Sequence, residues 1–275
     1  MRLCLVLISL LFAPALLSQD LNPEPAPAEP SPYVEREERE FNFFPGGKVE
    51  IFIGVPGSLK IVGWKKGSVR IEAEKILYYA TEEKAKAFLK KSPVRIRHNE
   101  TTTAIRAVGN PEPPGILEIN LTLYLPGEKT DIKAQMDRGE FSIDSVNGWV
   151  ETTIGEGSLE AKSLAGYFSG SLLKGDIFVE MSGKQWNGLE FAAVTQNGSA
   201  NLVLPIEYSA ALQLETRNGK VTVDYPTQIV EGEEVPPEVV IRKNSQSLKA
   251  SVGKGGAPIR IITFSGDIAL TKQEK

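Results

Sequence analysis

Carboxylates dominate the side chains that could do chemistry in this chain. Between positions 139 and 183, glycines recur every nine residues and seven acidic residues are interspersed. Measured from the preceding glycine, the acids that share an offset are Glu140 with Asp176, Asp144 with Glu180, and Glu151 with Glu160. Clustered carboxylates on one exposed face are what general acid–base cleavage of a polysaccharide requires. Water-facing strand positions also carry charge for solubility, so a solvated face explains the same pattern.

Other reactive residue types are too sparse for the usual catalytic or metal sites. His98 is the only histidine and Cys4 the only cysteine. A transition-metal site would need several carboxylates around His98, and no Gly-x-Ser-x-Gly elbow accompanies it for a serine triad. Calcium-binding nine-residue rolls need an aspartate in every unit, whereas this array holds only Asp144 and Asp176. We therefore expect no catalytic residue, no metal and no cofactor.

Aromatic residues are the predicted binding groups. The three tryptophans are Trp64, Trp149 and Trp186, and an exposed ring offers a flat apolar face on which a sugar can stack. Trp149 directly follows a repeat glycine, where strand alternation predicts an outward side chain, and Tyr167 occupies the equivalent place two units later. We predict weak binding roles for Trp149, Tyr167 and Trp64, although single exposed aromatics are also common on protein surfaces.

Short repeated strands must position these side chains. The regular glycines lie at 139, 148, 157, 166 and 175, and the second residues after them are Phe141, Val150, Leu159, Phe168 and Ile177. This spacing indicates stacked strands that cannot bury their apolar faces alone. We predict an all-β, single-domain β-solenoid or β-roll-like array over residues 41–272, with nine-residue units at about 139–183. A pair of β-sandwich sheets is the alternative. One short inserted helix is predicted at about 81–91.

The N-terminal sequence predicts export. Residues 1–18 have the charged, apolar and small-residue layout of a signal peptide, and a retained anchor is the alternative. Residues 19–40 are rich in proline and glutamate, which predicts a disordered spacer. No later apolar run approaches the roughly 20 residues of a membrane span, so the mature chain should have no integral membrane span. We expect a protein of the bacterial periplasm or cell surface.

Charge argues against a nucleic-acid partner. The chain has 31 basic and 35 acidic residues, a net charge of −4, whereas nucleic-acid binding needs a concentrated basic face. The short runs Lys65-Lys66 and Lys90-Lys91 are interpreted as solvated turn and helix-end charges. The sequence therefore predicts no nucleic-acid partner.

Four stretches together resemble the DUF4097 family of exported, adhesin-like β-repeat proteins. They are Gly57–Trp64 with Gly67–Ile71, Leu117–Gly127, the units that begin at Asp137 and Val146, and Thr263–Ile268. The resemblance covers roughly residues 41–272. It implies an exported, β-solenoid-like protein without an established catalytic site, and it supplies no functional residues.

The predicted function is a non-catalytic envelope protein that binds or scaffolds a protein partner or a surface polysaccharide. A polysaccharide-active lyase or hydrolase on a parallel β-helix is the first alternative. The second is a self-assembling structural protein that stacks end to end through uncapped coils, and charged substitutions of Ile268 or Leu270 in the last strand would block its oligomers.

Overall fold

The computed structural model describes residues 31–225, 228–230, 233–235, 238–242 and 245–273. The predicted signal peptide and residues 19–30 of the predicted spacer lie outside these ranges. Within the described part of the chain, no helix combines the length and apolar character needed to cross a membrane.

The described residues are mostly strand, with one helix, as predicted for an all-β protein with one insert. In chain order the elements are β1 (Tyr33–Asn42), β2 (Lys48–Ile53), β3 (Ser58–Trp64), β4 (Ser68–Tyr78), α1 (Glu82–Leu89), β5 (Val94–Asn99), β6 (Thr102–Ala107), β7 (Ile116–Pro126), β8 (Asp131–Asp144), β9 (Asn147–Lys162), β10 (Ala165–Lys174), β11 (Ile177–Glu180), β12 (Gly188–Asn197), β13 (Ala200–Leu204), β14 (Ala210–Asn218), β15 (Val221–Asp224), β16 (Gln228–Val230), β17 (Glu233–Val235), β18 (Glu238–Arg242), β19 (Ser245–Val252), β20 (Pro258–Ser265) and β21 (Ile268–Lys272).

Nineteen of these strands form one continuous sheet whose pairings run in two rows. The first row has the order β5-β6-β2-β8-β9-β10-β12-β20-β14-β19-β18. The second row has the order β1-β4-β7-β3-β8-β9-β11-β13-β21-β15. Because β8 and β9 are long enough to belong to both rows, the two rows are one sheet. Strands β16 and β17 form a separate antiparallel pair.

The nine-residue period is half of the structural repeat. In the first row Ile132 pairs in parallel with Val150, and Val150 with Phe168, each eighteen residues further along the chain. In the second row Phe141 pairs with Leu159 at the same spacing. Successive nine-residue units therefore alternate between the rows, and the pairing repeats every eighteen residues, a stretch that we call a coil.

The two rows bury one apolar core between them. The residues predicted to face inward, Phe141, Val150, Leu159, Phe168 and Ile177, are all at most 2% exposed. Gly170 of the first row lies against Leu159 of the second, since a Cβ at Gly170 would stand 2.7 Å from Leu159 Cδ1. Burial of each large apolar side chain contributes roughly 1.5–3 kcal/mol. This shared core, rather than any single coil, stabilises the stack.

A column of glycines lines the place where the first row passes into the second. Gly139, Gly157 and Gly175 have φ values of +135°, +146° and +134°. A Cβ at Gly157 would stand 1.7 Å from the carbonyl oxygen of Gly139, and Gly198 and Gly266 continue the same contact from coil to coil. Close backbone stacking at positive φ therefore requires glycine at this corner.

Two buried threonines differ in whether the hydroxyl has a partner. Thr195 Oγ1 donates to the carbonyl oxygen of Gly175 at 3.0 Å, whereas Thr152 Oγ1 is buried without a hydrogen-bond partner among the described residues. Valine keeps the shape and removes the hydroxyl. We expect Thr195→Val to lower the free energy of unfolding by about 1 kcal/mol, and Thr152→Val to raise it by about 1 kcal/mol. Urea denaturation measures both, and shifts of the same sign would contradict this assignment.

Antiparallel strands lie at both ends of the parallel stack. At one end β4 is antiparallel to β7 and β5 to β6, and at the other β14 is antiparallel to β19. Helix α1 lies within the predicted range 81–91 and buries Ala85, Phe88 and Leu89. Thr81, the N-cap residue just before the helix, makes no side-chain capping hydrogen bond. The helix thus joins the core through its apolar face.

The predicted spacer extends too far, because Tyr33–Asn42 form β1 antiparallel to β4. Lys75 of β4 lies 2.5 Å from Glu35 and 2.7 Å from Glu37, with its own side chain only 3% exposed. A buried cation needs such charged partners. The acidic composition that predicted disorder here supplies the carboxylates that pair with Lys75 and attach the segment to the sheet.

The last strand is not the free edge that the self-assembly hypothesis assumes. Strand β21 pairs in parallel with β13 on one side and β15 on the other, and Ile268 and Leu270 are 0% and 1% exposed. A charge at either residue would disrupt the core and would not report on assembly. Among the described strands of the sheet, the ones paired on one side only are β1, β5, β15 and β18.

Candidate functional site

Two of the predicted binding residues are neighbours on the outer surface of the first row. Trp149 in β9 is directly opposite Tyr167 in β10, and their ring centroids lie 4.0 Å apart at 26°. Trp149 is 45% exposed, while the next residue, Val150, is 1% exposed. The indole N–H of Trp149 donates to Glu151 Oε1 at 2.9 Å, which fixes the ring. We call Trp149 and Tyr167 the aromatic pair.

The other two tryptophans lie elsewhere. Trp64 ends β3 in the second row, where it stacks on Tyr124 with centroids 5.5 Å apart and donates from Nε1 to the Ser68 carbonyl oxygen at 2.8 Å. Trp186 is 4% exposed and packs edge-on against Phe191. The structure therefore brings Trp149 and Tyr167 together without Trp64, and Trp186 serves the core.

The carboxylates with shared offsets are not side by side. Glu151 pairs with Ser169 in the first row and Glu160 with Phe178 in the second, because residues half a coil apart fall in different rows. Asp144 and Glu180 are two coils apart, and Lys162 lies in register between them. A shared offset in a nine-residue unit thus does not indicate contact.

The third pair, Glu140 and Asp176, is also two coils apart, since Glu140 is opposite Ser158 of β9, one coil further on. Asp176 Oδ1 accepts a hydrogen bond from the backbone N–H of Ser199 at 2.7 Å. Asp267 accepts one from the N–H of Lys220 in the same way at 2.8 Å. An aspartate directly after a corner glycine therefore supports the corner of a neighbouring coil.

His98 makes packing contacts. Its ring stacks on Phe41 with centroids 4.6 Å apart, and Nδ1 lies 2.9 Å from Thr103 Oγ1. Within the described ranges, no three His, Cys, Asp or Glu side chains are grouped so that they could hold a metal ion.

A basic groove, which the sequence patterns did not predict, opens beside the aromatic pair on the outer surface of the first row. It has a volume of about 760 Å³ and is lined by residues of β5, β6, β2 and β8. Its cations are Lys91, Arg95, Arg97, Arg106 and Lys133. All five are solvent-exposed, and none has an ion-pair partner within 4.0 Å in the described part of the chain. Lys133 lies in register between Glu50 and Glu151, so the positive charge of the groove is concentrated on Lys91, Arg95, Arg97 and Arg106.

The arrangement of these cations opposes stability. Arg95 of β5 is directly opposite Arg106 of β6, and like charges in that position destabilise a sheet. The guanidinium of Arg106 lies over the ring of Phe52, with Cζ 4.8 Å from the ring centroid. The one carboxylate that lines the groove, Glu50, is paired with Lys48 at 2.7 Å. An anionic ligand between Arg95 and Arg106 would relieve their repulsion.

The cations of the groove lie far apart in the sequence, so no run of charged residues predicted it. Lys133 lies two strands from Arg106, because β2 is inserted between β6 and β8. The available signal was local. Arg95 and Arg97 alternate along one strand, and Arg106 follows on the next strand of the same antiparallel pair.

Comparison with known proteins leaves the family open. No family model matches the chain, and no curated protein matches it. A solved structure named "putative cell adhesion protein", from Clostridium sporogenes, is 15% identical, with a TM-score of 0.39, and the match covers 88% of this chain and all of that one. An adhesin candidate from Bacteroides fragilis is 9% identical, with a TM-score of 0.29, over 87% of this chain and 97% of that one. The assignment to DUF4097 stays a prediction.

Proposed function

We propose that this chain is an exported, non-catalytic binding module of the bacterial cell envelope. The signal-peptide layout of residues 1–18 supports export. Parallel strands paired at eighteen-residue spacing support a β-solenoid type of array, whose long flat faces suit extended partners. The proposed ligand is a carbohydrate polymer that lies across the outer surface of the first row.

The aromatic pair is the observation that carries this proposal. Trp149 remains 45% exposed although burial of a tryptophan would stabilise the fold. Glu151 accepts a hydrogen bond from the indole and holds it in one orientation. A sugar that stacks on Trp149 therefore loses less free energy to ordering of that side chain. Tyr167 widens the apolar platform to two strands.

Binding of the full chain to immobilised polysaccharides tests the proposal. We expect Trp149→Ala to weaken binding about 5- to 150-fold, because stacking on an aromatic ring is worth about 1–3 kcal/mol in comparable nucleic-acid systems. Trp149→Phe should retain most of the affinity. Trp64→Ala is the matched control in the second row and should leave binding unchanged. Equal losses in Trp149→Ala and Trp64→Ala would overturn the proposal, and release of oligosaccharide products would support the enzyme alternative.

A further inference from the structure

We infer that the polymer is an anionic polysaccharide, whose acidic groups bind in the basic groove while a sugar ring stacks on the aromatic pair. This inference rests on the proposed function, because it assigns a ligand class to the same surface. The groove contains five exposed cations without ion-pair partners among the described residues. A neutral sugar would not need these charges, whereas an anionic one can bind to them.

The groove and the aromatic pair are continuous. Lys133, which lines the groove, is opposite Glu151 in the parallel register of β8 and β9. Glu151 in turn accepts the indole hydrogen bond of Trp149. From β5 to β10 the surface crosses five strand spacings, or about 24 Å. One extended chain can therefore contact both features.

Arginine chemistry favours oxyanions in the groove. A guanidinium binds a carboxylate or a phosphate with two parallel hydrogen bonds. Arg95 and Arg106 face each other across adjacent strands, so one oxyanion between them can accept from both. The paired state of Glu50 with Lys48 leaves these guanidinium groups available.

The surroundings of the aromatic pair disfavour a nucleic acid. Glu151 accepts a hydrogen bond from the indole N–H of Trp149. Asp131 comes just before Ile132, which is opposite Val150. Both acids therefore flank the aromatic pair. A strand with a phosphate at every nucleotide would meet these carboxylates. Every sugar of alginate also carries a carboxylate, but at the edge of the ring, so the uncharged ring face can stack on Trp149 with the carboxylate directed away from Glu151 and Asp131.

Equilibrium binding of the full chain to alginate, dextran sulfate and neutral dextran tests the inference. We expect alginate, a polymer of carboxylated sugars, to bind at least tenfold more tightly than dextran and to weaken as sodium chloride is raised. The double variant Arg95→Gln/Arg106→Gln should lose that tenfold preference and keep its binding to dextran. It should also fold, because the substitutions remove a repulsive pair. Lys60→Gln/Lys220→Gln, which removes one exposed charge from the second row and one from the turn before β15, is the matched control.

The outcomes separate the two proposals. Equal affinity of the unmodified chain for alginate and dextran, with no effect of Arg95→Gln/Arg106→Gln, overturns the anionic ligand and leaves the proposed function intact. Absence of binding to all three polymers overturns the proposed function itself. Tighter binding of dextran sulfate than alginate supports an anionic ligand and assigns the groove to sulfate or phosphate esters, whereas the reverse order assigns it to carboxylates. Groove-dependent binding to anionic lipid vesicles without polysaccharide binding would overturn the inference.

Discussion

Gly157→Ala is expected to lower the free energy of unfolding by at least about 3 kcal/mol. The residue has a φ of +146°, and a Cβ would stand 1.7 Å from the Gly139 carbonyl oxygen. Since that oxygen belongs to the backbone of a neighbouring coil, no side-chain rotation can relieve the overlap. The stack must open locally or the chain must unfold. Chemical denaturation followed by circular dichroism measures the loss.

Gly183→Ala provides the matched control. Gly183 also has a positive φ, +76°, but a Cβ there would meet nothing within 4 Å. We expect only the backbone strain, about 1 kcal/mol. Similar losses in both glycine variants would show that backbone conformation alone, and not coil-to-coil contact, dictates the glycine column.

Lys75→Met should produce the second large effect, a loss of about 3 kcal/mol. The substitution keeps an apolar stem of similar length but leaves the half-buried Glu35 and Glu37 without their cation. The triple variant Lys75→Met/Glu35→Gln/Glu37→Gln should recover part of the loss, since it removes the unpaired charges as well. Lys60→Met, on the exposed surface of β3, should stay within about 0.5 kcal/mol of the unmodified chain. A loss in Lys60→Met equal to that in Lys75→Met would contradict the assigned role.

The same ion pairs make the free energy of unfolding depend on pH. Burial raises the pKa of Glu37, but the hydrogen bonds and charges of Lys75 and Arg39 outweigh it and hold the pKa below its ordinary 4.5. The contribution of Glu37 to stability is therefore present above pH 4.5 and is lost as the pH falls through the pKa of the folded state. Burial lowers the pKa of Lys75, yet Glu35 and Glu37 raise it above 10.5 overall. Its contribution is lost only as the pH rises beyond that value.

Denaturation of the unmodified chain and of Lys75→Met between pH 3 and pH 8 measures this dependence. We expect the difference between them to be largest near neutral pH and to shrink on the acid side. A difference that stays constant down to the lowest pH would contradict the ion-pair assignment.

Periodicity predicted the core well and the strand order poorly. The glycine spacing identified which residues face inward, because alternation and close backbone stacking act locally. Strand pairing is a long-range property, and the sequence carries no comparable signal for it. The β2–β3 segment lies between β6–β7 and β8, and β20–β21 lies between β12–β13 and β14–β15.

A lysine at an inward strand position could have predicted that the acidic segment before it is ordered, although composition alone predicted a disordered spacer. In β4 the inward side chains alternate, and Lys75 takes one of those places between Ala73 and Leu77. A lysine there requires carboxylates within reach, which the half-buried Glu35 and Glu37 supply at alternate positions of β1. The aromatic pair was accessible in the same way, since Trp149 and Tyr167 are separated by one coil of eighteen residues. The groove was not, because its cations converge from three separate segments.

Site-specific photocrosslinking in cells tests most directly whether the outer surface of the first row binds a polymer. A photoreactive residue replaces Thr153, which is exposed on the same face of β9 four residues from Trp149, or Lys60, which is exposed on the second row. We predict that the Thr153 position captures polysaccharide and that the Lys60 position does not. Capture of the same species from both positions, or from Lys60 alone, would contradict the proposed binding surface.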